Sequence, residues 1–218
     1  MNKDNKKVII GVVAKHKKTD EPRTYSLIRD EIRQAVIANS AIAIGILSVH
    51  DDIQYENIES GKKEWKEVIT DVNKENIIAQ INLCDGIIIQ GGVTNEAFET
   101  FIAKYCYDND IPCLGTCAGQ NCIAYALDGS IYKIPNPEKH NKSYDYVHKI
   151  NIDKSSKFYD IIGKECMMVN SIHQNSIKDC PKLSKVAFCE DGYADVIESS
   201  EKKFYMGLRF HPESLYKT

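Results

Sequence analysis

Ile111-Pro112-Cys113-Leu114-Gly115-Thr116-Cys117-Ala118-Gly119-Gln120 decides the reading of this chain. An apolar run enters the segment, a helix-like stretch from Ala118 to Leu127 leaves it, and Cys117 stands at the join between Gly115 and Gly119. G-x-C-x-G between strand and helix is the thiol form of a nucleophile elbow. A sharp turn exposes the side chain, and glycine on each flank lets neighbouring backbone come close. A helix N-terminus beneath the sulfur favours thiolate over thiol. On the pentapeptide alone, a packed core cysteine beside a tight turn is the competing reading.

Outward from this join, short apolar runs alternate with amphipathic stretches. Val8 to Ala14, Ala41 to Leu47, Ile87 to Ile89 and Ile111 to Leu114 read as strands. Between them, Tyr25, Ile28, Ile32, Ala35 and Val36 mark one helical face. Ile77, Ile78 and Ile81 mark a second, and Phe98, Phe101, Ile102, Tyr105 and Cys106 a third. Strand and helix in alternation with short links predict a right-handed parallel α/β sheet, with ligands at the carboxyl ends of the strands. The polar segment His50 to Asn73, which contains Trp65, carries no clear pattern. Beyond Gly129 the rhythm changes to closely spaced strands: Ser130 to Ile134, Tyr146 to Ile152, Met167 to Val169, Leu183 to Cys189, Ala194 to Ile197 and Lys203 to Phe210. Antiparallel pairs joined by turns such as Asp191-Gly192 are expected there. The fold class is therefore α/β in three layers: a central, mostly parallel sheet flanked by helices, with a smaller antiparallel sheet in the C-terminal half. No internal repeat or Pro/Gly linker divides the chain, so residues 1–218 are expected to form a single domain.

Composition narrows the function classes. A chain of 218 residues can bury about 70% of its unfolded surface, so it needs neither metal nor disulfide to hold a core. With 28 basic against 31 acidic residues and a net charge of -3, nothing offsets a phosphate backbone, and no nucleic-acid partner is expected. The apolar stretches fall short of the roughly 20 residues a membrane span requires. Lys6-Lys7 before Val8 to Ala14 resembles a minimal signal peptide, but Lys15-His16-Lys17-Lys18 follows without a small-residue cleavage site. A cytoplasmic location is expected, where thiols stay reduced. Several of the 8 cysteines interrupt apolar runs and read as small buried hydrophobes. Cys113, Cys117 and Cys122 form no CxxC pair and have no nearby histidine, which argues against zinc at that cluster. Cys113 and Cys117 are spaced C-x3-C, a weak match to the C-x-x-C of thiol redox proteins.

A cysteine nucleophile needs a general base, an orienting group and donors for an oxyanion. Phe210-His211-Pro212-Glu213 places a histidine at the end of an apolar strand with a carboxylate two residues on. Proline fixes the backbone between them, so Glu213 can fold back and hold the imidazole in one tautomer. Taken singly, such a pair is more often solvated and inert. Gln90-Gly91-Gly92 ends the third strand with unhindered N–H groups that can join the N–H of Ala118 in an oxyanion hole, or can simply be a strand-ending turn.

Gly91-Gly92, Gly115-Thr116-Cys117-Ala118-Gly119, Val169-Asn170-Ser171-Ile172-His173 and Gly207-Leu208-Arg209-Phe210-His211-Pro212-Glu213 occur in one order across residues 8–213. In this the chain resembles the class I glutamine amidotransferase superfamily. Within it, the chain is most similar to the stand-alone peptidase C26 branch that includes γ-glutamyl-γ-aminobutyrate hydrolases. The resemblance implies a flavodoxin-like architecture, a Cys117, His211, Glu213 triad, and backbone of Gly92 and Ala118 as the oxyanion hole. It implies a substrate side formed by Gly91, Gln120, Asn121, Ser171 and His173. It also implies a small-molecule γ-glutamyl substrate with no metal or redox cofactor, and it leaves open both a homodimer and a synthetase partner.

Departures fall on the substrate side. The family's Gln four residues after the nucleophile is Asn121 here, with Gln120 one step early. The S-x-H-H-Q pattern reads Ser171-Ile172-His173-Gln174-Asn175, and the extension after the Gly-Gly turn is replaced by Val93-Thr94-Asn95-Glu96. Only Ser214 to Thr218 follow Glu213, where relatives continue into a final helix, so a shortened C-terminus is expected. Three functions follow from the resemblance: a free-standing γ-glutamyl amide hydrolase, a glutaminase subunit feeding a synthetase, and a non-catalytic homologue.

Overall fold

The computed structural model describes residues 6–18, 24–48, 69–92 and 97–215. Most of the patternless polar segment (residues 50–68, Trp65 included) and the replaced extension (residues 93–96) lie outside the described residues. The strands are β1 (Ile9–Val13), β2 (Lys15–Lys18), β3 (Thr24–Leu27), β4 (Ile42–Ile46), β5 (Gly86–Ile89), β6 (Cys113–Thr116), β7 (Ser130–Lys133), β8 (Asn141–Ile152), β9 (Cys166–Ile172), β10 (Asn175–Asp179), β11 (Ser184–Cys189), β12 (Ala194–Glu198) and β13 (Tyr205–Leu208). The helices are α1 (Asp30–Ala38), α2 (Asp71–Ile81), α3 (Ala97–Asp108), α4 (Ala118–Tyr125) and α5 (Lys157–Ile162).

Nine strands form one sheet in the order β4-β1-β5-β6-β13-β12-β11-β8-β9. The first five are mutually parallel. β12, β11, β8 and β9 then continue the same sheet by antiparallel pairing. The α/β class and its parallel centre are as expected, and β7 with β10 forms a separate small antiparallel sheet. Most of the C-terminal strands, however, extend the main sheet. Successive residues of the parallel strands face opposite sides: Ile87 and Ile89 pack with Phe98 and Ile102 of α3 and Ile123 of α4, whereas Ile88 lines a cavity on the other face together with Ile32 and Val36 of α1. Helices on both faces make three layers. Beside this core, Phe158 of α5 joins Ile150, Val169, Val196 and Phe210 under the antiparallel extension.

Three local readings change. Tyr25 and Ile28 are not helical: Thr24–Leu27 pairs with Lys15–Lys18 as a hairpin, and the helix begins at Asp30. The strand read as Ile111 to Leu114 begins at Cys113 and runs to Thr116, which brings its end directly to Cys117. Helix α5 is not legible in the sequence because six residues cannot show a period; its start is set instead by capping. Ser156 Oγ accepts from Tyr159 N at 3.0 Å, and the buried Glu198 carboxylate accepts from Lys157 N and Phe158 N at 2.8 and 2.9 Å. Among the described residues no helix is long and apolar enough to cross a membrane.

Candidate active site

β6 lies between β5 and β13 in the parallel part of the sheet, with Ile89 and Leu208 paired to Gly115 and Thr116. Three parallel neighbours end at one edge. The segments leaving them, Gln90–Gly92, Cys117–Gln120 and Arg209–Glu213, therefore converge without further device.

Cys117 occupies the turn with φ 50° and ψ -107°, a strained conformation for a non-glycine residue that costs about 1–3 kcal/mol. Its neighbours hold it there. Cys117 N donates to Leu208 O at 2.7 Å, and Gln120 N to Cys117 O at 3.0 Å. A Cβ on Gly115 would collide with the Gly119 carbonyl, and one on Gly119 with the Ile89 carbonyl oxygen. The flanking glycines are thus demanded by backbone approach, as the elbow reading anticipated.

The buried His211 pairs through Nδ1 with Glu213 Oε1 at 2.8 Å, leaving Nε2 for the hydrogen bond with Cys117. Both side chains lie over Gly91, where a Cβ would stand 2.7 Å from His211 Cε1 and 3.1 Å from Cys117 Cβ. Burial disfavours charge on His211, but hydrogen bonds and negative charge from Cys117 and Glu213 outweigh it and push the imidazole pKa up to about 10. Burial also opposes a thiolate at Cys117. The His211 hydrogen bond and charge, the Arg209 guanidinium and the Ala118 N–H nevertheless hold the thiol below its ordinary value. The two groups stabilise each other as a thiolate–imidazolium pair.

Asn170, which the motif alone leaves without a role, fastens His211. Its Oδ1 accepts from His211 N at 2.7 Å and its Nδ2 donates to His211 O at 2.8 Å. Arg209, 2% exposed, is likewise unassigned by the motifs; it donates to Cys117 O at 3.4 Å and Asn121 Oδ1 at 2.9 Å. A polar residue inside or directly after an apolar strand is the available signal for both.

Part of the expected substrate side is corrected. Gln120 is fully buried and its amide donates to Asp195 O and Gly207 O at 3.2 and 3.1 Å. Asn121 is taken by Arg209, and Ser171 Oγ donates to His140 O at 2.6 Å. These three side chains brace the site from within. His173 is buried, bonded through Nδ1 to Asn175 O at 3.1 Å, and burial with nearby positive charge drives its pKa down to about 2. It too faces protein. Gly92 packs on the Lys15 stem, and Lys15 pairs with the buried Glu99 at 2.6 Å. Cys113 is a packing thiol: a hydrogen bond with Cys106 and burial raise its pKa well above the ordinary value.

Fold and motifs together place the chain in the class I glutamine amidotransferase superfamily. The chain belongs to the Peptidase C26 family, whose model matches residues 92–213, more than half of its length. It is 24% identical over 217 residues to a glutamine amidotransferase-like protein of Rickettsia prowazekii, covering 68% of this chain and 77% of the relative. It is 35% identical over 133 residues to the glutamine-hydrolysing GMP synthase of Clostridium botulinum, covering 59% of this chain but 24% of that much longer protein. Among solved structures it resembles a Thermotoga maritima glutamine amidotransferase with TM-score 0.63 and 12% identity, covering 96% of this chain and 77% of the other. It also resembles the glutaminase domain of Trypanosoma brucei CTPS, with TM-score 0.64 and 16% identity over 94% and 86% of the two chains.

Proposed function

We propose that this protein hydrolyses a γ-glutamyl amide through a γ-glutamyl thioester on Cys117, releasing glutamate and an amine. The observation that carries the reading is the strained Cys117 turn beside a buried His211 that Glu213 orients. The Cys117 thiolate attacks the γ-carbonyl carbon, and the C=O electron pair moves to oxygen. Backbone N–H groups of Gly92 and Ala118 donate to that oxyanion. Collapse breaks the C–N bond as His211 passes its proton to the leaving nitrogen. His211, now neutral, takes a proton from water as the hydroxide adds to the thioester. A second collapse expels the thiolate, and His211 is protonated again. The protein works on small molecules, in the cytoplasm, as one domain.

A panel of γ-glutamyl amides with glutamate detection, using Cys117→Ala as the blank, tests this. Turnover of at least one γ-glutamyl amine by the isolated chain is expected. The 35% identity to a GMP synthase segment favours a second reading, a glutaminase that delivers ammonia to a synthetase partner. Negligible turnover of every amide until such a partner is added would replace the first reading with the second. Absence of turnover under both conditions would leave a non-catalytic homologue.

A further inference from the structure

Beside the wall of the active site lies a cluster that the hydrolysis does not use. His140, His148 and Cys189 bring one donor atom each to within 4.8 Å of the others. His140 and Cys189 are buried, and the His148 side chain is 15% exposed. The three come from separate places: the residue before β8, the middle of β8, and the end of β11.

The surroundings lack partners for what they bury. His140 Nδ1, His148 Nδ1 and His173 Nε2 are enclosed without a hydrogen-bond partner. A buried polar atom left without a partner destabilises the fold, so three in one place call for an occupant. Each imidazole of the cluster also faces a carboxylate. His140 Nε2 lies 3.2 Å from Asp191 Oδ2, and His148 Nε2 lies 3.4 Å from Asp195 Oδ1. A carboxylate behind an imidazole fixes its tautomer and turns the other nitrogen's lone pair outward, as at metal-ligating histidines. For His140 this leaves Nδ1, the orphaned atom, as the ligand.

We propose that His140, His148 and Cys189 bind a Zn2+ ion, with water in the fourth position. Two imidazoles and a thiolate suit zinc or a comparably soft ion and do not suit Mg2+ or Ca2+. Bonds of about 2.0–2.3 Å require the three donors to close in slightly from their present spacing. Binding transfers the Cys189 thiol proton to solvent. The ion's role is structural: the His140 carbonyl receives Ser171 Oγ at 2.6 Å and His173 N at 3.0 Å, and Ile172 O between them lies 3.7 Å from Cys117 Sγ. Fixing His140 therefore fixes the wall next to the nucleophile.

The experiment uses the full chain with Cys117→Ser, which removes the competing active-site thiolate, stripped with chelator and titrated with Co2+ and then Zn2+. One equivalent of Co2+ should give tetrahedral visible bands with a thiolate charge-transfer band, and Zn2+ should displace it and raise Tm. Cys189→Ser should abolish the charge-transfer band, Cys180→Ser should leave it intact, and Asp191→Asn should weaken affinity about 10- to 100-fold. Asp191 is half exposed, so its variant decides the matter should Cys189→Ser fail to fold. No saturable band, a band that survives Cys189→Ser in a folded chain, or unchanged affinity in Asp191→Asn would overturn the site.

Discussion

At the scale of single residues, the proposed reactivity rests on two shifted groups. With the Cys117 thiol held down and the His211 imidazole held near 10, the ion pair spans neutral pH. As pH falls through the lowered Cys117 value the thiolate is protonated, and as pH rises toward about 10 His211 loses its proton. The kcat/KM profile should therefore be a broad bell whose alkaline limb lies far above an ordinary imidazole. At about pH 6, iodoacetamide should label Cys117 before the other seven thiols, as read by peptide mass mapping; uniform labelling would contradict a lowered thiol. Cys117→Ala should cut glutamate release by about 10,000-fold or more without changing the far-UV spectrum. Glu213→Gln removes the negative charge and the tautomer lock from His211. Its kcat should fall about 100- to 10,000-fold, and its alkaline limb should move down toward the ordinary imidazole value.

At the scale of elements, the site is a meeting of strand ends, and its tolerances are set by how closely those ends pack. Gly119→Ala would drive a methyl into the carbonyl of Ile89, so urea denaturation should show a loss of about 1–3 kcal/mol or more. Asn170 bridges the end of β9 to the backbone of His211 by two hydrogen bonds. Asn170→Ala should cost about 1–3 kcal/mol and lower kcat more than it raises KM, because the base is displaced while the substrate pocket stays. Gln restores the amide on a longer arm and should recover little, since the paired geometry is tight. A loss of stability with kcat/KM unchanged would make Asn170 a packing residue only.

At the scale of the whole molecule, one sheet runs from the parallel half into the antiparallel half without an edge between them. The Cys117 elbow follows β6 and the His211 segment follows β13, the last parallel strand, which pairs parallel with β6 on one side and antiparallel with β12 on the other. Urea unfolding followed by far-UV circular dichroism and by tyrosine fluorescence should therefore give coincident transitions. Two separated transitions would mean that the parallel and antiparallel halves fold apart.

The division between sequence and tertiary structure follows from the range of the interactions involved. Alternating apolar runs, the G-x-C-x-G join and the His211-Pro212-Glu213 pair are short-range patterns, so the α/β class, the tight turn at Cys117 and the pairing of His211 with Glu213 were legible in the residues themselves. Partners far apart in the chain were not. Gln120 and Asn121 read as substrate contacts by position, yet Gly207 O, Asp195 O and Arg209, brought beside them by the pairing of β13 with β6 and β12, claim them for the interior. Asn170 gained a role only when β9 met His211, 41 residues on. His140, His148 and Cys189 share no spacing rule, and only the pairing of β8 with β11 brings them together. Local chemistry by itself singled out Cys117 and His211 as the candidate nucleophile and base. Long-range packing decided what surrounds them, because a side chain's hydrogen-bond partner is chosen by which strands become neighbours.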